Sequence, residues 1–424
     1  MQAGGEHRRT VAWGRASPAP VYSTFHLWDR ESDAASQKFF HLCSTMQKDI
    51  TDIRIGVLGG GQLGRMMLQS GINLNLDIAF LDPDPQAPCA SLVPEFTCGS
   101  LTDFDTVYAF GRDKDVLTIE IENVNTAALR KLQAEGKKVF PQPDIIELIQ
   151  DKRKQKTFYK ANRIPTADFV LTETRDDVRK HLTMLPAVHK LGREGYDGRG
   201  VQVLKSEKDL ELAFDKPGLL EPLVDFEKEI SVIVARNEQG EVRAFPVVEM
   251  SYHPEANLVE FLFSPAEISQ EAEEKAREQA IDLIQKLDMV GLLAVEMFLT
   301  RDGNILINEV APRTHNSGHH TIEANITSQF EQHLRAILGL PLGSTELLVP
   351  AAMINLLGEP GHSGHARYTG MRESMALEGV HIHLYGKKVT KPFRKMGHVT
   401  VTDANLEQLK QKAMKIKEQL KIIA

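Results

Sequence analysis

The sequence predicts an α/β protein: a Rossmann-like parallel sheet near the N-terminus, then a small glycine-rich lid domain, then a mixed α+β part running to the C-terminus. Three observations carry that prediction. A buried strand, a Gly-x-Gly-x-x-Gly turn, a helix and a second strand follow one another over 55–82, and strand–helix–strand units build parallel sheets. Four glycines fall within residues 192–200, between two short apolar runs. Further on, two longer apolar runs flank Arg301-Asp302-Gly303, a hairpin turn sequence with glycine at the left-handed position.

Residues 1–50 show no sustained strand or helix period and read as an unstructured or upstream extension, with translation expected to start at Met46. Residues 51–163 form the Rossmann-like domain. Its expected elements are a strand over 55–58, a helix over 63–70 closed by Gly71, and a strand over 77–81 ending at Asp82. A strand over 116–121, a helix over 126–135 stopped by Gly136, a short strand at 139–140 and one helical stretch over 144–162 complete it. Residues 164–223 form the lid domain, with strands at 187–191, 201–204 and 219–221. Residues 224–350 carry strands at 229–235, 242–250 and 258–263, an amphipathic helix over 269–287, the hairpin 292–299/304–310 and a helix over 328–338 ended by Gly339 and Pro341. Residues 351–424 form a C-terminal subdomain, strand-rich to 401 and then helical from Asn405 to the end.

Composition excludes several classes. Hydrophobic residues make up 42% and charged residues 25%, an ordinary globular balance. Lys plus Arg is 50 against 58 Asp plus Glu, so the net charge of −8 offers no excess cation for nucleic acid. The three cysteines, Cys43, Cys89 and Cys98, lack the spacing of a disulfide framework or zinc site, which points to a reducing, cytoplasmic setting. The strongest apolar stretch, 347–357, is broken by Pro350 and Asn355 and is too short to span a bilayer. Small-molecule substrates are therefore expected, with no nucleic-acid or membrane partner.

Five groups of residues carry chemistry. Gly59-Gly60-Gly61-Gln62-Leu63-Gly64, with Asp82 at the end of the next strand, is nearly a dinucleotide fingerprint. An NAD-dependent oxidoreductase is one reading; another phosphate ligand, or close strand–helix packing alone, are the others. The glycine-rich tip holds Arg193 and Arg199, with Lys190 just before it. It could close over a nucleoside triphosphate or be a solvated hairpin, and no P-loop sequence is present. Folding the hairpin about Asp302 sets Glu296 opposite Asn308-Glu309. Two acids among apolar strand residues repel unless a cation compensates, and Mg²⁺ takes one or two carboxylates plus phosphates; pairing with Arg313 is the alternative. His315 and His319 have zinc-helix spacing, but Ser317-Gly318 is poor helix sequence, so a loop presenting Arg313, Asn316 and Ser317 to an anion is preferred. Lys387, Lys388, Lys391, Arg394 and Lys395 beside Gly386 and Gly397 form either a phosphate pocket or a solvated basic face.

In order along the chain stand Gly59-Gly60-Gly61-Gln62-Leu63-Gly64-Arg65-Met66, Gly195-Tyr196-Asp197-Gly198-Arg199-Gly200, Asn308-Glu309-Val310-Ala311-Pro312-Arg313 with His315-Asn316-Ser317-Gly318-His319, and Arg394-Lys395-Met396-Gly397-His398. From Ile53 onward the set resembles the N5-carboxyaminoimidazole ribonucleotide synthetases of purine biosynthesis, a family of ATP-grasp enzymes. The resemblance implies an ATP-grasp fold, with the Rossmann-like domain preceding the lid and a Mg-ATP site in 224–350. It implies a C–N bond-forming ligase that uses ATP and bicarbonate to carboxylate 5-aminoimidazole ribonucleotide, with Mg²⁺ (or Mn²⁺) as cofactor, acting as a homodimer. The first glycine turn would then serve the ribonucleotide rather than NAD. Carried over by motif, ATP is held by Lys152, Lys190, Gly195, Tyr196, Asp197, Gly198, Arg199, Gly200, Glu221, Leu223, Val224, Glu229, Asn308 and Glu309. Glu296 and Glu309 hold the metal. Gln62, Leu63, Glu122, Tyr196, Asp197, Arg199, Arg313, Asn316, Ser317, Lys387, Arg394 and Lys395 surround the ribonucleotide and bicarbonate, with Asp197, Arg313 and Lys387 in catalytic roles. Two departures stand out: Lys152 replaces a frequent arginine, and Glu249-Met250-Ser251-Tyr252-His253 replaces a Glu-Asn-x-His run. A formate-dependent glycinamide ribonucleotide transformylase is the alternative within the fold.

Overall fold

The computed structural model describes residues 48–193, 195, 200–252 and 258–424. The expected extension over 1–50 thus lies almost wholly outside the described residues. The first unit comprises β1 (Arg54–Leu58), α1 (Gln62–Asn73), β2 (Asp77–Asp82), β3 (Phe96–Cys98), α2 (Phe104–Gly111), β4 (Val116–Ile119), α3 (Thr126–Ala134) and β5 (Lys138–Val139). Its strands lie in the order β3-β2-β1-β4-β5, all parallel. Helices cover both faces, which is why β1, β2 and β4 read as apolar runs rather than alternating ones.

Two expectations fail here for local reasons. Gly71 does not end α1. A Cβ there would lie 2.4 Å from Ile78 Cδ1, so the missing side chain lets the helix lie close on β2. The single helix expected over 144–162 is two, α4 (Pro143–Ile149) and α5 (Lys152–Ala161). Asp151 separates them, and its carboxylate accepts the Arg153 N–H as an N-cap.

The lid sheet follows: β6 (Val170–Thr172), α6 (Arg175–Arg179), β7 (Ala187–Leu191), β8 (Val201–Leu204) and β9 (Gly218–Pro222), in the antiparallel order β6-β9-β7-β8. Most of the remaining strands build one large antiparallel sheet, and four others form two small two-stranded pairs. Its first part is β10 (Phe226–Arg236), β11 (Val242–Ala244), β12 (Val248–Tyr252), β13 (Val259–Ser264), α7 (Gln270–Lys286), β14 (Gly291–Thr300), β15 (Ile305–Ala311), α8 (Thr321–Ala324) and α9 (Gln329–Ile337). The strand expected over 242–250 divides in two around Pro246, which cannot donate to a ladder. Next come β16 (Ala351–Leu357), β17 (Gly364–His365), β18 (Arg367–Thr369), α10 (Met371–Met375), β19 (Val380–Leu384), β20 (Val389–Thr390), β21 (Lys395–Thr402), α11 (Leu406–Gln419) and β22 (Lys421–Ile423). The last helix stops before the chain end, and β22 pairs with β18.

The large sheet runs β15-β14-β10-β12-β13-β16-β21-β19, with β11 beside β10. The β13–β16 ladder, Phe261 opposite Ile354, carries it unbroken past residue 350. α9 docks on α1: Phe330, Leu334 and Ile337 share a buried cluster with Met66 and Met67. That contact, with the Thr118 Oγ1–His333 Nε2 hydrogen bond of 2.8 Å, ties the parallel sheet to the large one. Among the described residues no helix is long and apolar enough to cross a membrane.

Candidate active site

The acidic hairpin forms as its turn sequence predicts. Glu296 on β14 stands directly opposite Glu309 on β15, with a bulge just after Glu296. Val295 and Met297 point into the core, so strand alternation turns Glu296 to the other face. Ser231 on β10 pairs with Glu296, and Glu229 lies two residues before it on the same face. Burial pushes the Glu296 carboxyl up to about 8, and the charges of Glu309 and Glu229 add to that. Burial also raises the Glu229 carboxyl, against a hydrogen bond from Tyr252. Glu309 shows 48% of its side chain to the cleft, and Lys152 Nζ lies 2.5 Å from its Oε1. Burial opposes the Glu309 charge, but Lys152 outweighs it and holds the carboxyl below the usual range. His315 Nε2 is 3.6 Å from Glu296 Oε1.

This donor set fits a hard divalent cation. Of the two facing carboxylates, Glu309 already holds an ammonium in the free protein, and the pair would leave the remaining coordination positions to phosphate oxygens and water. Among the described residues no three His, Cys, Asp or Glu side chains converge as a self-sufficient metal site. The zinc reading fails: His315 faces Glu296 and Ser317, whereas His319 packs on His398, ring centroids 4.6 Å apart.

The lysines gather beside the acids. Lys190, on β7 next to the lid tip, reaches Glu221 Oε2 at 2.7 Å and Asn308 Oδ1 at 2.9 Å. Lys156, which sequence reasoning passed over, pairs with the other oxygen of Glu221 and donates to Thr166 Oγ1. The only sequence signal for it is its position four residues after Lys152, on the same face of α5. Leu223 is exposed beside half-buried Val224, and its N–H donates to the Pro186 carbonyl at 2.8 Å. At the neck of the lid tip the Leu191 N–H meets the Gly200 carbonyl at 2.8 Å. Gly200 has φ +74, and a Cβ there would lie 2.9 Å from Gly195 Cα, so a side chain is excluded. The predicted Tyr196, Asp197, Gly198 and Arg199 lie outside the described residues.

The first glycine turn is already filled by the protein's own carboxylates. The Gly60 N–H donates to Asp82 Oδ2 at 2.7 Å. The Gly61 and Leu63 N–H groups donate to Glu120 at 2.6 and 3.0 Å. A pyrophosphate here would meet two anions where a dinucleotide fold presents free donors, which argues against the NAD reading. Glu120 was missed by sequence reasoning; its signal is its place at the end of β4, opposite the turn. Leu63, predicted as a substrate residue, buries its side chain in the core and spends its N–H on Glu120.

The other predicted substrate residues divide. Arg313 does not pair with the metal-type acids; its Nε and Nη2 grip Glu122 at 2.9 and 3.1 Å. Lys387 Nζ bonds Gln62 Oε1 at 2.9 Å and the Lys395 carbonyl at 2.8 Å, bringing α1 and the C-terminal strands together. Asn316 instead exchanges amide hydrogen bonds with buried Asn355, and Ser317 Oγ lies 2.9 Å from Ser231 Oγ. Arg394 Nη1 donates to the Val389 carbonyl at 2.7 Å within its own turn.

Comparison with known proteins agrees with this arrangement. Family models match as a ribonucleotide synthetase preATP-grasp domain over 52–150, an ATP-grasp domain over 157–330 and a phosphoribosylaminoimidazole carboxylase C-terminal domain over 351–412. The chain is 39% identical to a chloroplastic phosphoribosylaminoimidazole carboxylase of Vigna aconitifolia, over 84% of this chain and 65% of that longer protein. It thus spans just under two thirds of that relative. It is 37% identical to the N5-carboxyaminoimidazole ribonucleotide synthase of Bacillus subtilis, covering 82% of this chain and 90% of the relative. The crystal structure of N5-carboxyaminoimidazole ribonucleotide synthetase from Thermotoga maritima superposes with a TM-score of 0.82 at 43% identity, covering 88% of this chain and 99% of that one. With the acidic hairpin, the lysines and the lid neck in place on this fold, the chain belongs to the N5-carboxyaminoimidazole ribonucleotide synthetase family of ATP-grasp ligases.

Proposed function

We propose that this protein couples ATP cleavage to carboxylation of 5-aminoimidazole ribonucleotide by bicarbonate, giving the N5-carbamate, ADP and phosphate. The observation that carries the reading is the Glu296–Glu309 pair, with Lys152 on its open side and Lys190 with Asn308 beside it. Bicarbonate is a poor electrophile. One of its oxygens attacks the γ-phosphorus, ADP departs, and carboxyphosphate forms. The exocyclic amine then attacks the carboxyl carbon, phosphate leaves and the amine proton is lost.

Phosphoryl transfer needs positioning and charge neutralisation more than covalent help. Glu296 and Glu309 would hold Mg²⁺ (or Mn²⁺), which would supply charge neutralisation at the phosphate oxygens. Lys152 and Lys190 turn from their carboxylates to the phosphates. Glu221, Leu223, Val224, Glu229 and Asn308 line the rest of the nucleotide. Glu122 and Arg313, with Gln62, Lys387 and Lys395, hold the ribonucleotide, and Arg313 steadies the bicarbonate-derived anion. Asp197 on the lid orients the amine, and closure of that lid keeps water from carboxyphosphate. The working form is a homodimer, and the free thiols of Cys89 and Cys98 suit a reducing cytoplasm.

ADP release is measured with Mg²⁺ and bicarbonate, with and without 5-aminoimidazole ribonucleotide. Strong stimulation by that nucleotide is expected. Stimulation only by formate with glycinamide ribonucleotide would move the chain to the transformylase reaction, and NADH binding without ATP binding would end the ligase reading.

A further inference from the structure

Glu221 is 4% exposed and carries two lysines, one on each carboxylate oxygen. The lysines are not equivalent. Lys190 divides its ammonium between Glu221 and Asn308 and leaves 12% of its side chain open beside the lid tip. Lys156 is 2% exposed and has a second fixed partner, Thr166 Oγ1. Thr166 in turn donates to the Ile307 carbonyl at 2.6 Å, and the Ile307 N–H donates to the Pro165 carbonyl at 2.9 Å. Lys156 therefore belongs to a rigid joint between the lid sheet, through Glu221 on β9, and the large sheet, through Ile307 on β15. Lys190 faces the cleft and has somewhere to go.

An arriving triphosphate draws the Lys190 ammonium away. Were Lys156 absent, Glu221 would then be a buried carboxylate without a counter-ion, next to a polyanion, which costs far more than the same charge in water. We propose that Lys156 is a positioning residue: it is the standing counter-ion of Glu221 that releases Lys190 to the nucleotide. This rests on the reading of the cleft as an ATP site. Without Lys156, Glu221 holds Lys190 back and repels the phosphates. The loss falls on ATP and spares the ribonucleotide, whose residues lie around Glu122 and Lys387.

The test compares wild type with Lys156→Met, Glu221→Gln and the double variant. Direct titration with a non-hydrolysable ATP analogue and Mg²⁺ is read beside steady-state kinetics. Lys156→Met is expected to weaken nucleotide binding and raise the KM for ATP by about a hundredfold or more, the size of an uncompensated buried charge. The KM for the ribonucleotide should stay within about twofold, since its contacts are separate. Adding Glu221→Gln should recover part of the loss, because no carboxylate then needs compensation. In the Glu221→Gln background, Lys156→Met should change nucleotide affinity by less than about threefold, which keeps the test valid if Lys156→Met alone does not fold. Wild-type affinity in folded Lys156→Met, an equal loss for both substrates, or a full loss persisting in the Glu221→Gln background would overturn the proposal. Wild type that binds the nucleotide but shows no ribonucleotide-stimulated ADP release would instead count against the proposed reaction.

Discussion

Lys152 and Glu309 form an ion pair, and the proposed reaction requires a divalent cation to displace it. Replacing Glu309 by Gln keeps the shape of the side chain but removes half of the paired charge. Turnover should fall by roughly a thousandfold or more, with the fold intact by circular dichroism. A variant within tenfold of wild type would remove Glu309 from the metal role. The pairing of Glu296 with Glu309 was legible because Arg301-Asp302-Gly303 sets the register locally. The grip of Arg313 on Glu122 spans 191 positions, and Lys156 on α5 meets Glu221 on β9 of the lid sheet. No local pattern encodes such partners. The same limit hid Glu120, whose carboxylate fills the glycine turn that had suggested a dinucleotide.

At the scale of elements, the joint between α1 and α9 ties the parallel sheet to the large sheet. Phe330 is fully buried there with Met66, Met67 and Leu334. Phe330→Ala should cost about 3–5 kcal/mol, read from the urea midpoint with an unchanged slope. A loss under about 1 kcal/mol would mean that the joint is loosely packed. Periodicity found α1 and α9 themselves, but not that they touch. The errors in element limits share one origin: a residue with two structural uses. Gly71 resembles a stop and serves close packing, Asp151 resembles helix interior and caps α5, and Pro246 sits inside an apolar run yet interrupts its ladder.

At the scale of the whole molecule, five imidazoles among the described residues are held neutral by burial. His189 and His333 are pushed down to about 4, His320 to about 3, and His319 and His398 well below the ordinary 6.5. Their folded pKa values lie below the unfolded one, so the unfolded chain binds protons first as pH falls. The stability they contribute is complete above pH 6.5 and is lost from there toward pH 4. Each histidine contributes up to about 1.4 kcal/mol per pH unit in that window. The urea midpoint should therefore drop steeply between pH 7 and pH 5, and a flat midpoint would show that these rings are already charged in the folded protein. The proposed reaction depends on one arrangement, a cation gripped by two hairpin acids under a nucleotide. A crystal structure with Mg²⁺ and a non-hydrolysable ATP analogue tests it most directly. A cation is expected about 2.1 Å from oxygens of both Glu296 and Glu309 and of the analogue's phosphates; a triphosphate bound elsewhere, with Lys152 still seated on Glu309, would rule the arrangement out.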